Sequence, residues 1–224
     1  MHLLLLSATH TETGKTAQWL DQHSKELNVL KPKLLIGGIG QLQTGYHLLH
    51  AIRLQRPRLV IQAGIGGSGS KEDIGKVYAI GSDRLGDLGL MEKAGFSSVF
   101  KMGLAAPDIF PFQEEKLVNP YRDLLVWTGL PLLDGVTVNE IKAEDPDNLQ
   151  RNDAPVVESM EGAALHYVCL MEKIPFLQIR SVSNVLGDRD KKRWKIKESI
   201  ENLNDTLISL IQKLEKADET LFRF

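Results

Sequence analysis

The sequence predicts an α/β fold built on a largely parallel or mixed sheet. Two observations carry that expectation. Short apolar runs bounded by glycine recur at 3–6 (LLLL), 33–38 (KLLIGG), 58–64 (RLVIQAG), 76–81 (KVYAIG) and 176–182 (FLQIRSV), and runs of this length read as buried strands. Segments with helical spacing fall between several of them, and alternating strand and helix is the α/β pattern.

The elements follow in order. The run at 3–6 leads into SATHTETGKT (7–16), read as a strand-to-helix loop, with Lys15 and Thr16 in the first helical turn. Residues 44–54 place apolar side chains at helical intervals before Pro57 stops the segment. The stretch 104–122 is rich in proline and polar residues and reads as a long surface loop, a length more typical of lids than of idle connectors. A second polar loop spans 142–154. Residues 162–171 read as a helix ending before Pro175, ahead of the strand at 176–182. The last stretch spaces Ile196, Ile200, Leu203, Leu207, Leu210 and Leu214 by threes and fours, the stripe of a helix packed on the sheet. No repeat or linker interrupts the chain, so residues 1–224 are expected to form a single domain.

Charge and composition exclude several classes. Lys plus Arg number 27 against 29 Asp plus Glu, a net charge of -2 that offers no footprint for nucleic acid. The basic patch DRDKKRWKIK (188–197) is mixed in sign and reads as a solvated helix start. Cys169 is the only cysteine, so no intrachain disulfide or multi-cysteine metal site can form, and a reducing cytoplasm fits. The leucine run is too short for a signal-peptide core, and nothing reaches the length of a membrane span.

Four stretches carry chemistry. SATHTETGKT supplies the Gly14-Lys15-Thr16 end of a phosphate-binding P-loop, but Thr9 stands where its first glycine belongs, and Asp83 is the only plausible magnesium carboxylate. The alternative is a loop that presents Glu12. GIGGSG (64–69) matches a dinucleotide fingerprint, yet a polar turn and a further strand follow it instead of a helix. Its glycines imply close approach of the backbone to a ligand or a neighbouring segment. VVESMEGAALHYVCL (156–170) sets Met160 and Glu161 at the start of an apolar helix, where glutamates also complement the helix dipole. QIRSVSNVLGDRD (178–190) runs a strand into Ser183-Asn184, at the sheet end where α/β proteins bind ligands.

Taken in this order, with Pro175-Phe176, Arg180 and Ser183-Asn184 spaced as P-F-x-x-x-R-x-x-S-[DN], the four stretches resemble the nucleoside phosphorylase and nucleosidase family. GDLGLMEKAGF (86–96), GVTVN (135–139), VESMEGAA (157–164) and RSVSNVLGDRD (180–190) resemble a branch of it that cleaves a hypoxanthine nucleoside. The resemblance implies a three-layer α/β/α fold with a central mixed sheet, and cleavage of a purine–ribose N-glycosidic bond. It implies that Glu12 activates water, that Met160 and Glu161 hold the ribose, and that Asn184 contacts the N7 edge of the base. Val138 falls where the backbone meets the base, and Ile65 and Gly66 lie in the turn near the ribose. The resemblance implies neither metal nor other cofactor, a small nucleoside as substrate, and a homodimer or larger homo-oligomer.

Adenine-specific nucleosidases of the family carry aspartate where this chain has Asn184. Asparagine cannot give up a proton, but its NH2 donates to N7 or to the carbonyl of a 6-oxopurine. Hydrolysis is expected over phosphorolysis: GIGGSG carries no arginine, and Glu12 would repel phosphate, with Lys15 and Lys71 the nearest candidates for the opposite case. Phe110, Phe112 and Tyr121 are candidates for part of an apolar slot at the ribose 5′ carbon, in their own subunit or across a subunit boundary, or for anchoring their loop. Arg180 and Glu158 receive no role from the sequence.

Overall fold

The structure is a computed structural model describing residues 1–93, 95–141, 156–188, 190 and 192–217. Among these, ten strands and five α-helices follow in the order β1 (His2–Ser7), α1 (His10–His23), β2 (Lys31–Ile36), α2 (Gln41–Leu54), β3 (Leu59–Ser68), β4 (Val77–Arg84), β5 (Gly89–Glu92), β6 (Gly95–Ser98), β7 (Lys116–Val118), α3 (Arg122–Thr128), β8 (Leu132–Thr137), β9 (Val156–Ser159), α4 (Gly162–Met171), β10 (Phe176–Val185) and α5 (Ile196–Glu215).

The leucine run sets the layers. Successive strand residues face opposite sides, so Leu3 and Leu5 join one core while Leu4 and Leu6 join the other. The first core lies under α1, α3 and α5, through residues such as Leu20, Leu124, Leu207 and Ile211. The second lies under α2 and α4, through Leu48, Ile52, Leu165 and Cys169. Helices on both faces explain why β1 reads as unbroken leucine rather than alternating. Each leucine removed from water in this way contributes about 2 kcal/mol. The fold is therefore the expected three-layer α/β/α arrangement around a mixed sheet.

The sheet also closes on itself. One edge of β3 pairs in parallel with β10. The other edge is shared: Leu59–Gln62 pairs with β1, and Gly67 and Ser68 pair with β9. β10 continues to β4, β4 to β8 and β8 back to β9, completing a circuit of five strands. The circuit brings the ends of β3, β9 and β10 together on one side.

Several expectations need correction. α1 begins at His10, so Glu12 sits inside its first turn rather than in a loop, and Lys15 and Thr16 lie a turn further on. α2 starts three residues before the expected 44. The segment 104–122 is not a free lid: Lys116–Val118 pairs with β4, and the buried His166 of α4 bonds through Nδ1 to the Leu117 carbonyl at 2.8 Å. A carbonyl only accepts, so Nδ1 donates, and burial pushes His166 down to about 4 and keeps it neutral. The polar stretch 142–154 lies outside the described residues. Among those described, no helix is long and apolar enough to cross a membrane.

Candidate active site

One cavity of about 350 Å³ opens where β3, β9 and β10 end against α1 and α5. All seven residues assigned by resemblance line it, namely Glu12, Ile65, Gly66, Val138, Met160, Glu161 and Asn184, although Ile65 and Gly66 reach it from within β3 rather than from a turn.

Glu12 is held from two sides. Its Oε2 accepts from the backbone N–H of Thr9 at 3.0 Å and the Thr9 hydroxyl at 3.2 Å, the reach-back of a capping box. Its Oε1 accepts from the N–H of Ile65 at 3.2 Å. Thr9, the residue that breaks the P-loop pattern, is the extended N-cap of α1. Lys15 points to α5, where it pairs with Glu201 and, at 2.6 Å, with Asp205. Neither Lys15 nor Lys71 reaches the cavity. Asp83 is equally remote from any such role, being fully buried and bonded to the Thr137 hydroxyl and the Arg84 N–H, each at 2.8 Å.

Glu161 precedes α4 and accepts from the Gly40 N–H at 3.0 Å. The guanidinium of Arg180 lies 3.4 Å from its other oxygen and donates to Gln62 Oε1 at 3.1 Å. Arg180 therefore stands behind the site as counter-charge to the Glu161 carboxylate. A Cβ added to Gly64 would come within 2.4 Å of Arg180 Nη1 and 2.9 Å of Glu12 Oε1, so this glycine exists for close approach. The start of α4 is fixed from below: the Ala163 N–H donates to Thr137 Oγ1 at 2.8 Å, and that hydroxyl donates to Asp83.

Asn184 has a defined orientation. The Ser183 hydroxyl donates to its Oδ1 at 2.8 Å, and Nδ2 donates to the Val185 carbonyl at 3.2 Å. One amide N–H is thereby spoken for, and the second is left to offer the cavity. Asn184 pairs with Gly67 and Gly67 with Glu158, so the three form one row across the sheet. Glu158, without a role from sequence, thus lies on the cavity.

The apolar wall comes from Ile39, Ile141, Trp194, Ile196 and Ile200. Trp194 and Ile196 belong to the patch expected to be a solvated helix start, and Trp194 is turned by a 2.7 Å bond from its indole N–H to the Asp188 carbonyl. Phe110, Phe112 and Tyr121 do not line the cavity: Phe112 packs on Phe100 and Tyr167, Tyr121 packs on Phe176, and Phe110 is exposed. The lining includes Glu12, Glu158 and Glu161 and, among the described residues, no lysine or arginine, and a carboxylate beside the sugar favours developing positive charge. No group of three or more His, Cys, Asp or Glu among the described residues is placed to hold a metal ion.

Residues 22–216 match the family model described as the phosphorylase superfamily. The chain belongs to the phosphorylase superfamily. Among its relatives in the superfamily, a futalosine hydrolase from Acidothermus cellulolyticus is 28% identical over 221 residues, covering 92% of this chain and 89% of that one. One from Streptomyces coelicolor is 29% identical over 158 residues, covering 70% and 66%. A solved Campylobacter jejuni 5'-methylthioadenosine/S-adenosyl homocysteine nucleosidase superposes with a TM-score of 0.74 at 16% identity, over 97% of this chain and 100% of that one. Helicobacter pylori futalosine hydrolase gives 0.69 at 13% identity, over 95% and 98%. At such identities the solved structures speak for the superfamily fold alone. Glu12 lies ahead of the residues matched by the superfamily model, so its placement rests on geometry.

Proposed function

We propose that this chain hydrolyses the purine–ribose N-glycosidic bond of futalosine, releasing hypoxanthine and dehypoxanthine futalosine. The observation that carries the reading is the convergence of Glu12, Glu161 and Asn184 on one cavity. Two curated relatives named futalosine hydrolase, matched over most of this chain, support the choice of substrate. The resemblance of the four sequence stretches to that branch implies a place in menaquinone biosynthesis.

In this reading the bond between C1′ and the base nitrogen stretches first, and positive charge develops on the ribosyl ring. Glu161 accepts hydrogen bonds from the ribose hydroxyls, and its charge favours that cation. Glu12 takes a proton from water as the water oxygen bonds to C1′. The base departs with the bond's electron pair, steadied at N7 or O6 by the Asn184 N–H, and takes its proton from solvent. Ile39, Trp194, Ile196 and Ile200 supply apolar wall for the ribose 5′ substituent. The enzyme acts in the cytoplasm as a homodimer or larger homo-oligomer of a single domain.

A second reading is methylthioadenosine/S-adenosylhomocysteine nucleosidase, favoured by a Chromohalobacter salexigens relative of that name, 27% identical over 191 residues. Asn184 in place of aspartate weighs against it. Base release from futalosine, inosine and methylthioadenosine, without phosphate and with EDTA, separates the two. Hypoxanthine from futalosine, lost in Glu12→Gln by a factor of about 10² or more, is expected. Adenine from methylthioadenosine at an equal or higher rate overturns the futalosine assignment.

A further inference from the structure

Asn204 of α5 is fully buried and reaches into α1. Its Oδ1 accepts from the backbone N–H of Thr16 at 2.8 Å and from the Thr16 hydroxyl at 2.7 Å. Its Nδ2 donates to the backbone carbonyl of Glu12 at 2.8 Å and to the Ile200 carbonyl at 2.7 Å. In an uninterrupted α-helix the N–H of residue 16 bonds directly to the carbonyl of residue 12. One side chain from another helix therefore bridges the two groups of a single helical hydrogen bond, and it belongs to the turn that carries Glu12. The bridge ties that turn of α1 to α5.

We propose that Asn204 is a positioning residue for Glu12. The inference rests on the hydrolytic reading of the cavity. The amide uses all four of its hydrogen-bonding positions, two as acceptor and two as donor, so no other side chain of that size reproduces the bridge. Gly14, midway between the bridged groups, has nothing within 4 Å of where its Cβ would lie, so the neighbouring helix face is open. Lys15 fastens the same turn to Glu201 and Asp205, on either side of Asn204. The α1 start is thus registered against α5 rather than by its own ladder alone, and Glu12 Oε1 is delivered to the Ile65 N–H.

The test is steady-state base release from futalosine by wild type, Asn204→Ala and the near-isosteric Asn204→Asp, with hypoxanthine affinity measured in parallel. Misplacing a catalytic group by about 1 Å costs on the order of 100-fold, so kcat is expected to fall at least about tenfold. KM and hypoxanthine affinity should stay within about threefold, because the base and ribose groups lie on β10 and just ahead of α4. A folded Asn204→Asp with wild-type kcat overturns the inference and leaves the hydrolytic reading standing. So does a kcat loss matched by an equal loss of hypoxanthine affinity, since that is general damage. If Asn204→Ala fails to fold, Asn204→Asp decides alone. Wild type that releases no base from any nucleoside overturns the hydrolytic reading, and this inference with it.

Discussion

Arg180 and Glu161 form an ion pair with both side chains almost out of solvent, at 2% and 8% exposure and 3.4 Å between Nη1 and Oε2. Removing one partner of such a pair leaves the other charge uncompensated, at a cost of about 3–5 kcal/mol. Arg180→Met is expected to lose stability of about that size in urea denaturation. It should also raise KM for the nucleoside, because Glu161 would no longer be held for the ribose. A variant as stable as wild type would show that the pair has no such weight.

Gly64 tests the close approach of Glu12 and Arg180. A methyl group there would sit within 2.4 Å of the guanidinium and 2.9 Å of the Glu12 carboxylate, so one or both must move. Gly64→Ala is expected to cut kcat/KM by roughly tenfold or more with near-wild-type circular dichroism. Unchanged kinetics would mean that neither group is held where the site needs it.

Asn184 is predicted to set base choice. The Ser183 hydroxyl donates to its oxygen and one N–H goes to the Val185 carbonyl, which leaves the second N–H to offer. Asn184→Asp supplies a carboxyl that can protonate N7 and accept from an exocyclic amino group. The ratio of kcat/KM for methylthioadenosine over futalosine should rise on the order of tenfold. A ratio that stays put would move base recognition elsewhere in the cavity.

Asp83 makes stability depend on pH. Burial raises its carboxyl from 3.8 to about 6. Between those values the unfolded chain releases the proton while the folded chain keeps it, so stability falls as pH rises through the window. The loss is complete above about pH 6 and amounts to about 3 kcal/mol. Asp83→Asn stays neutral and keeps an oxygen for Thr137. It should match wild type near pH 4 and exceed it at pH 7.5 in thermal melts, and a wild-type curve flat from pH 4 to 7 would refute this.

Much of the site was legible because its residues fall in short runs, although the contacts that require them come from distant segments. Gly64, Gly66 and Gly67 crowd against Arg180, Val157 and Leu186 respectively, so their spacing is written in consecutive residues. MEGAA is similar, since a Cβ on Gly162 would strike Asp83 and Gln178 at little more than 2 Å. Trp194 and Ile39 were not legible. A tryptophan flanked by charged residues and an isoleucine between glycines acquire an apolar role only when a cavity forms beside them. Strands such as β7 and β9, three and four residues long, escaped for the same reason: their identity comes from partners far along the chain, not from their own pattern.

By itself the sequence determined the α/β class, the helical stripe at 196–214 and the motifs that place Glu12, Glu161 and Asn184. The first two are set by periodicity, whereas the motifs are short runs whose resemblance to the family is what pointed to those three residues. The tertiary structure decided what joins those motifs. It closed five strands into a circuit, set Arg180 behind the Glu161 carboxylate, and ran Asn204 into the turn of α1 that carries Glu12. Such relations link residues as far apart as 12 and 204, and a burial that pairs them exists only once the layers have packed.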